Sequence, residues 1–267
     1  MLRRLSILPN VYYNYLKDRK KEYKAHINKV LNKIQYYFHL FGGRPGHRMI
    51  RIFLKESGIV LSKVTVHKYM NKILKLRSIV FRKKPGYVKG HAHMVFPNLL
   101  KGNFKALKPG IIWCTDFTYI RKSDGKLRYN CTILDLFNRE VVSSVTDTRI
   151  TSELAIRTLK KALRLRRSVE LILHSDQGSQ YTSKEFVEFC KNKKITQSMS
   201  KAGCPYDNAV MERYFNTLKN ELIYQRSFYD DNELYKQIED YAYNWYNRRR
   251  PHFYNGGIPP KKVKYLA

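Results

Sequence analysis

The chain has 267 residues, and its 52 lysines and arginines outnumber its 21 aspartates and glutamates, which gives a formal net charge of +31 at pH 7. Hydrophobic residues make up 43% of the sequence, which excludes a disordered tail and allows one or two folded domains with real cores. The charge indicates a polyanionic partner, although a ribosomal-type or merely adhesive basic protein would have the same composition.

Cysteine spacing and apolar runs exclude several other classes of protein. The four cysteines show no C-x-x-C spacing, so the sequence predicts neither a zinc ribbon nor a disulfide framework. The basic N-terminal segment lacks the long apolar run and cleavage site of a signal peptide. No apolar stretch reaches the roughly 18 residues of a membrane-spanning helix. We therefore expect a cytoplasmic protein with no membrane partner.

The first 41 residues (1–41) form a predicted N-terminal helical arm. Within residues 12–41 the apolar residues recur at helical spacing, and the ones that define the stripe are Ile27, Val30, Leu31, Ile34 and Phe38. A break rich in glycine and proline begins at Gly42 and ends this helix.

Residues 42–81 contain the pattern of a helix-turn-helix. A first short helix is predicted at 47–56, with Ile50, Phe53 and Leu54 on one side. A second helix opens at Ser62, a good N-cap, and its predicted buried residues are Val66, Tyr69, Met70 and Ile73. In a helix-turn-helix the start of the second helix reads DNA bases. The candidate DNA-binding residues there are Lys63, Thr65, His67 and Lys68. A small structural hairpin of helices is the alternative.

Residues 82–110 are predicted to be a basic linker. The segment opens with Arg82, Lys83 and Lys84 and is interrupted by prolines and glycines. Its charge favours contact with nucleic-acid phosphates, and a bare tether between domains is the open alternative.

From residue 111 the pattern changes to strands, and residues 111–225 form the predicted core. Three strands joined by short turns are followed by a helix, a strand, a helix, a strand and a long helix; the predicted ranges are 111–120, 127–136, 140–146, 152–166, 169–173, 183–192, 195–199 and 207–223. This order predicts an α/β fold with a mixed five-stranded sheet flanked by helices, preceded by an all-helical helix-turn-helix region. Residues 226–267 are a predicted tail, helical at first and then basic.

Three acidic residues stand in distinctive surroundings within this core. Asp116 lies midway along the first strand, Asp176 lies just past the end of a later strand, and Glu212 lies on the last core helix. Ligands bind at the carboxyl ends of strands in such sheets, and hard cations such as Mg²⁺ take carboxylate ligands. Asn208 and Lys219 share a helix face with Glu212. Taken singly, each carboxylate has a plain alternative as a strand-end cap, a turn residue or a surface residue.

The chain from Trp113 onward resembles the catalytic subunit, OrfB, of bacterial transposases of the insertion-sequence-3 family, whose core is similar to retroviral integrase. The resemblance depends on four blocks of sequence, which are W-x-x-D-x-T-Y at 113–119, H-S-D-x-G-S-Q-Y at 174–181, S-M-S-x-x-G-x-P-x-D-N-A-x-x-E at 198–212 and Y-N-x-R-R-P-H with one extra arginine at 246–252. The N-terminal third also looks like the helix-turn-helix region of that family. Residues 253–259 depart from the stretch that follows in the family.

The resemblance implies an RNase H-like fold in which two Mg²⁺ ions, replaceable by Mn²⁺, lie between Asp116, Asp176 and Glu212. It implies that these catalytic residues serve both strand cleavage at an element end and strand transfer into target DNA. Asn208 is expected to orient Glu212 or a phosphate, and Lys219 to contact the DNA strand. Further DNA contacts are expected from Arg248, Arg249 and Arg250.

The resemblance also implies partners and a cellular place. The partners are DNA, further copies of the chain bound to it, and an upstream OrfA product that the family often fuses to this one by frameshifting. A bacterial protein associated with the nucleoid is expected. Two other hypotheses stay open: a metal-dependent nuclease that cuts without joining, and a non-enzymatic basic DNA-binding protein with structural carboxylates.

Overall fold

The computed structural model describes residues 8–16, 19–79, 94–166, 170–201 and 205–263. The chain divides into two compact units, which we call the N-terminal unit (Met1–Ile79) and the C-terminal unit (Val80–Ala267). The predicted DNA-binding residues Arg82, Lys83 and Lys84 lie outside the described residues. No helix within the described ranges has both the length and the apolar character needed to cross a membrane.

The N-terminal unit is helical throughout its regular structure. Its helices are α1 (Pro9–Leu16), α2 (Arg19–Leu40), α3 (His47–Glu56) and α4 (Lys63–His67), and α4 continues as a π-helical segment (Lys68–Ile73). The single helix predicted for 12–41 is thus described as α1 and α2, with residues 17 and 18 outside the description. The predicted helix at 47–56 is confirmed as α3.

The core of the N-terminal unit joins α2, α3 and α4. Val30 and Ile34 of α2 pack with Ile50 and Leu54 of α3 and with Val66 of α4. This cluster confirms the helical stripes read from the sequence, since its members come from the predicted apolar positions.

The cap of α4 is confirmed, whereas one of its predicted buried residues is not. The Ser62 hydroxyl accepts a hydrogen bond from the Thr65 backbone N–H at 3.1 Å. The prediction that Ile73 is buried is wrong, because this side chain is 47% exposed. The backbone winds as a π-helix from Lys68, and the wider turn rotates Ile73 out of the stripe that holds Val66 and Met70.

The C-terminal unit contains a five-stranded mixed sheet, which confirms the predicted fold class. Its strands are β1 (Ile112–Arg121), β2 (Leu127–Asp135), β3 (Val141–Asp147), β4 (Leu171–Ser175) and β5 (Ile195–Met199). They lie in the order β3-β2-β1-β4-β5. The first three strands are antiparallel, and β4 is parallel to both β1 and β5.

Helices cover both faces of this sheet. They are α5 (Ser152–Leu165), α6 (Ser179–Thr182), α7 (Lys184–Asn192), α8 (Ala209–Glu221) and α9 (Asp231–Asp240). Trp113 and Phe117 of β1 pack with Leu159 of α5 and Phe186 of α7 on one face. Because side chains alternate along a strand, Asp116 points to the opposite face, where α8 contacts β1.

The second half of the predicted linker is part of the C-terminal unit. Phe96 packs against the sheet core, and the Leu99 N–H donates to the Ser198 hydroxyl at 3.0 Å. The Asn98 amide donates to an Asp207 carboxylate oxygen at 3.0 Å. The described part of the linker, from residue 94, is therefore packed structure and not a bare tether.

The predicted tail is likewise packed on the sheet. Asn247 exchanges two hydrogen bonds with the backbone of Val141, at 2.8 and 2.9 Å, and so occupies part of the outer edge of β3. A π-helical segment (Tyr241–Tyr246) follows α9 and is largely buried. The boundary predicted at 225–226 therefore falls within one packed unit.

Candidate active site

The pairing of β1 with β4 brings Asp116 beside Asp176. The two strands are parallel, with Cys114 opposite His174, and their pairing covers Ile112–Cys114. Two residues further along the chain are Asp116 on β1 and Asp176 just past the end of β4, so the two carboxylates emerge side by side on the same face. This position is the carboxyl edge of the parallel strands, where ligands bind in α/β sheets.

Local backbone groups fix both aspartates. The Phe117 N–H donates to Asp116 Oδ1 at 2.7 Å, and the Gly178 N–H donates to Asp176 Oδ1 at 3.0 Å. A Cβ added to Gly178 would lie 2.9 Å from that same Oδ1, which is closer than real Cβ contacts allow. A side chain at position 178 would therefore displace the Asp176 carboxylate from this hydrogen bond.

The two aspartates resist ionisation in this setting. Burial is the largest cause that raises the pKa of Asp116 well above its usual value, and the charges of Asp176 and Glu212 raise it further. Burial also raises the pKa of Asp176. Two neighbouring carboxylates repel each other when both are ionised, and a bound cation would remove this repulsion. Such a pair is therefore a candidate site for a metal ion.

These shifts predict that Asp116→Asn stabilises the protein in a chelating buffer at pH 7. A folded-state pKa above the unfolded value means that the folded carboxyl binds more protons, so stability falls as the pH rises through that window. Asparagine removes this cost, and each kcal/mol gained raises the melting temperature by about 2–4 °C. Calorimetry should show the gain at pH 7 and its decline towards pH 4.

Asp124→Asn is the control, because the backbone N–H of Lys126 leads the causes that lower the pKa of Asp124. That variant should show no gain at pH 7. A melting temperature that does not rise in Asp116→Asn would contradict the raised pKa of Asp116.

Glu212 lies in the first turn of α8 and is exposed. Its charge reaches Asp116, as the raised pKa of Asp116 shows. Within the described ranges, however, no group of three or more His, Cys, Asp or Glu side chains is arranged to hold a metal ion. The structure thus places Asp116 beside Asp176. The charge of Glu212 acts on Asp116, but among the described residues its carboxylate does not complete a three-ligand metal site.

Asn208 contacts a different carboxylate from the one expected. Its amide nitrogen donates to Asp116 Oδ2 at 3.0 Å, so the expected contact with Glu212 is not the one made. Asn208 ends a short 3-10 helix (Pro205–Asn208) and directly precedes α8. Its amide oxygen is buried and has no hydrogen-bond partner among the described residues. Asn208 is therefore a support for Asp116 that still carries an unused acceptor.

His174 ties together the loop that carries Asn208. Its Nε2 lies 2.9 Å from the Asp207 carbonyl oxygen, and its Nδ1 lies 2.9 Å from the Ser198 hydroxyl. A carbonyl only accepts, so Nε2 carries the proton and Nδ1 accepts from Ser198. Burial lowers the pKa of His174, which favours this neutral form. His174 therefore has a structural role, because it anchors the backbone at Asp207, the residue that precedes Asn208.

Lys219 lies at the same end of the sheet, as its helix spacing predicts. Its ammonium is 4.4 Å from the ring centroid of Tyr119 on β1, and its charge lowers the pKa of Asp116. The sequence reasoning gave Tyr119 no role. The available signal was its place three residues after Asp116 at the exposed end of a strand.

Comparisons with known proteins identify the family. Family models described as an integrase core domain match residues 106–205 and 193–260. The chain is 32% identical over 262 residues to the protein named as transposase InsK for insertion sequence element IS150 of Escherichia coli strain K12, covering 97% of this chain and 90% of that protein. It is 35% identical over 222 residues to the transposase for insertion sequence element IS904 of Lactococcus lactis subsp. lactis strain IL1403, covering 82% and 87%. The chain belongs to the IS3-type insertion-sequence transposases.

A solved structure supports the fold of this transposase. The simian T-cell lymphotropic virus intasome, determined by cryo-electron microscopy in complex with PP2A regulatory subunit B56 gamma, is similar with a TM-score of 0.50 and 18% identity. The similarity covers 81% of this chain and 72% of that chain. The C-terminal unit therefore has the fold of an RNase H-like integrase core. The family matches make the transposase an enzyme of the transposase/integrase class.

The three C-terminal arginines of the transposase do not share one role. Arg248 and Arg249 are exposed. Arg250 instead pairs with Glu221 at 2.9 Å, and the two side chains are only 16% and 10% exposed. Burial alone lowers the pKa of Arg250, but the Glu221 carboxylate outweighs this and the pKa is raised. The expected DNA contact of Arg250 is therefore replaced by a structural ion pair.

The four candidates on α4 and at the start of the π-helical segment also differ in their exposure. Lys63, His67 and Lys68 are exposed. The Thr65 hydroxyl lies 2.9 Å from the Ser62 hydroxyl, so Thr65 belongs to the helix cap. The three basic residues remain predicted DNA contacts of the N-terminal unit.

Proposed function

We propose that this transposase cleaves DNA at the ends of its insertion sequence and joins the cut strand to target DNA. The observation that carries the proposal is the pairing of Asp116 and Asp176 at the carboxyl edge of the sheet, with raised pKa values, in a chain of net charge +31. Phosphoryl transfer on a polyanion needs both a positively charged surface and a site for hard cations.

The residues present fit a divalent metal. Oxygen donors from Asp116 and Asp176 suit Mg²⁺, and Mn²⁺ is expected to replace it. Glu212 is proposed as the third ligand, because its charge already reaches Asp116. The buried, unpartnered amide oxygen of Asn208 adds a polar atom beside the same carboxylate. Two such ions, when bound, stabilise the attacking and leaving oxygens of an in-line displacement at phosphorus.

Neighbouring groups of the protein hold the two aspartates in place for the reaction. Asn208 holds Asp116 Oδ2, and the glycine turn holds Asp176 Oδ1, so both carboxylates keep one orientation before DNA arrives. Lys219 supplies a positive charge for the DNA strand at the same place. A serine or tyrosine nucleophile has no part in this scheme.

The N-terminal unit is proposed to recognise the ends of the element. Lys63 begins α4, and His67 and Lys68 lie where α4 passes into the π-helical segment, so all three are on the second helix of the predicted helix-turn-helix, the helix that enters the major groove. Arg248 and Arg249 are proposed to contact phosphates. We also propose that the transposase acts as a homo-oligomer on DNA, together with an upstream OrfA product, in the bacterial nucleoid.

A strand-transfer assay tests the function. Labelled element-end DNA, a target plasmid and Mg²⁺ or Mn²⁺ should yield a nicked end and then a joined product, and a chelator should abolish both. Either ion should also raise the melting temperature, since a ligand that binds only the folded state stabilises it by RT ln(1 + [L]/Kd). Nicking without joining would favour the plain nuclease. DNA binding with neither product would favour the non-enzymatic protein.

A further inference from the structure

An exposed aromatic surface lies at the end of β1, three residues beyond Asp116. Tyr119 is 59% exposed and follows Asp116 by three residues on β1. Tyr129 of β2 is directly opposite Tyr119 in the antiparallel pairing, so the two residues lie on the same face of the sheet. The pairing of β1 with β4 extends only to Cys114, so β4 does not cover this end of β1.

Lys219 and Tyr224 complete this surface. The Lys219 ammonium lies 4.4 Å from the centroid of the Tyr119 ring, within the range of a cation–π contact. Tyr224 follows α8 and is 41% exposed. The pKa of Tyr224 is raised, first by burial and then by the hydroxyl of Tyr119. We call Tyr119, Tyr224 and Lys219 the tyrosine platform. Lys219 is on α8, which also carries Glu212 and contacts β1, so the platform adjoins the candidate active site.

The chemistry of the platform selects an unpaired nucleobase. An aromatic ring stacks on the face of a base, whatever its sequence, and a lysine beside it neutralises the adjoining phosphate. In a duplex the base faces are already stacked on one another. A base can reach Tyr119 only after it leaves its pair. An apolar protein partner would fit poorly, because the neighbouring Arg121 is exposed and charged.

We propose that the tyrosine platform binds an unpaired base of the DNA strand whose phosphate lies at Asp116. The transposase therefore prefers element ends with unpaired terminal nucleotides over fully paired ends. This inference rests on the proposed function, because it places the reacting strand at Asp116.

The test compares the Kd of the full chain for two DNA ends in a chelating buffer. One end carries three unpaired terminal nucleotides, and the other has the same sequence fully paired. Stacking on an aromatic side chain is worth about 1–3 kcal/mol per base, which corresponds to a preference of roughly 5- to 150-fold. Tyr119→Leu, which keeps an apolar side chain without a π-face, should reduce the preference to less than about 2-fold. Tyr119→Phe should retain it.

Tyr229→Ala is the matched control, because Tyr229 is a 70% exposed tyrosine on the same unit that is not part of the platform. It should leave the preference unchanged. A wild-type chain without a preference, or a full preference in Tyr119→Leu, would overturn the platform. Tyr119 is exposed, so its substitution should shift stability by less than about 0.5 kcal/mol, and melting temperatures check this.

The binding experiment separates this inference from the proposed function. No strand is cut in the chelating buffer, so the preference is measured independently of catalysis. If the preference holds but Mg²⁺ yields no cleaved strand, the proposed reaction fails and the platform stands. If strands are cut and joined but no preference exists, the platform fails alone.

Discussion

We expect Asp116→Asn, Asp176→Asn and Glu212→Gln each to abolish strand cleavage and joining while DNA binding is retained. A metal site supplies several kcal/mol of transition-state stabilisation, so the loss of one ligand should lower the rate by about a thousandfold or more. The substitutions keep side-chain shape and remove negative charge. DNA affinity in a chelating buffer should therefore stay the same or rise. Gel-based cleavage assays and binding titrations measure the two effects.

Glu188→Gln is the control for this series, because Glu188 is an exposed carboxylate on α7 whose side chain is 61% accessible. Its activity should equal that of the wild type. Unchanged cleavage in Asp116→Asn, Asp176→Asn or Glu212→Gln would remove that residue from the proposed metal site. Glu212 is the most informative of the three, since it lies outside a closed cluster in this structure.

Arg250→Met destabilises the C-terminal unit by about 3–5 kcal/mol, because it leaves a buried charge without its partner. The Glu221 carboxylate accepts hydrogen bonds from Arg250, from the Tyr241 hydroxyl at 3.0 Å and from the Trp245 indole at 2.8 Å. Without the guanidinium, two neutral donors remain to hold a buried carboxylate. Denaturant unfolding of the wild type and the variant measures the difference.

Arg249→Met is the matched control for Arg250→Met. Arg249 is adjacent in sequence but exposed, so its substitution should change stability by less than about 0.5 kcal/mol. If Arg249 contacts phosphate as proposed, its loss reduces the slope of log K against log[salt] by about 1. The reverse pattern, with a stable Arg250→Met that binds DNA weakly, would restore the DNA contact first expected of Arg250.

Local patterns in the sequence predicted the elements of both units. Strand and helix periodicity gave the five strands and the helices close to their observed bounds, because alternation and helical spacing reflect which face is buried. The N-cap of α4 at Ser62 and the helix break at Gly42 are also visible in the local sequence. The blocks around Asp116, Asp176 and Glu212 singled out the acidic residues, because such runs are distinctive without knowledge of the fold.

Contacts between distant parts of the chain could only come from the tertiary structure. Asn208 meets Asp116 across 92 residues of sequence, and Arg250 meets Glu221 across 29. Nothing in the local spacing distinguishes Arg250 from Arg249, since helix packing alone decides which of them is buried.

By itself, the sequence determined the kinds of element, the acidic residues proposed for the metal site and the basic character of the chain. The tertiary structure decided which carboxylates are neighbours, because the register between β1 and β4 sets Asp116 beside Asp176. It also decided that the tail belongs to the catalytic unit, through the buried pair of Glu221 and Arg250. The physical reason is that register and burial depend on non-local packing, which no short stretch of sequence encodes.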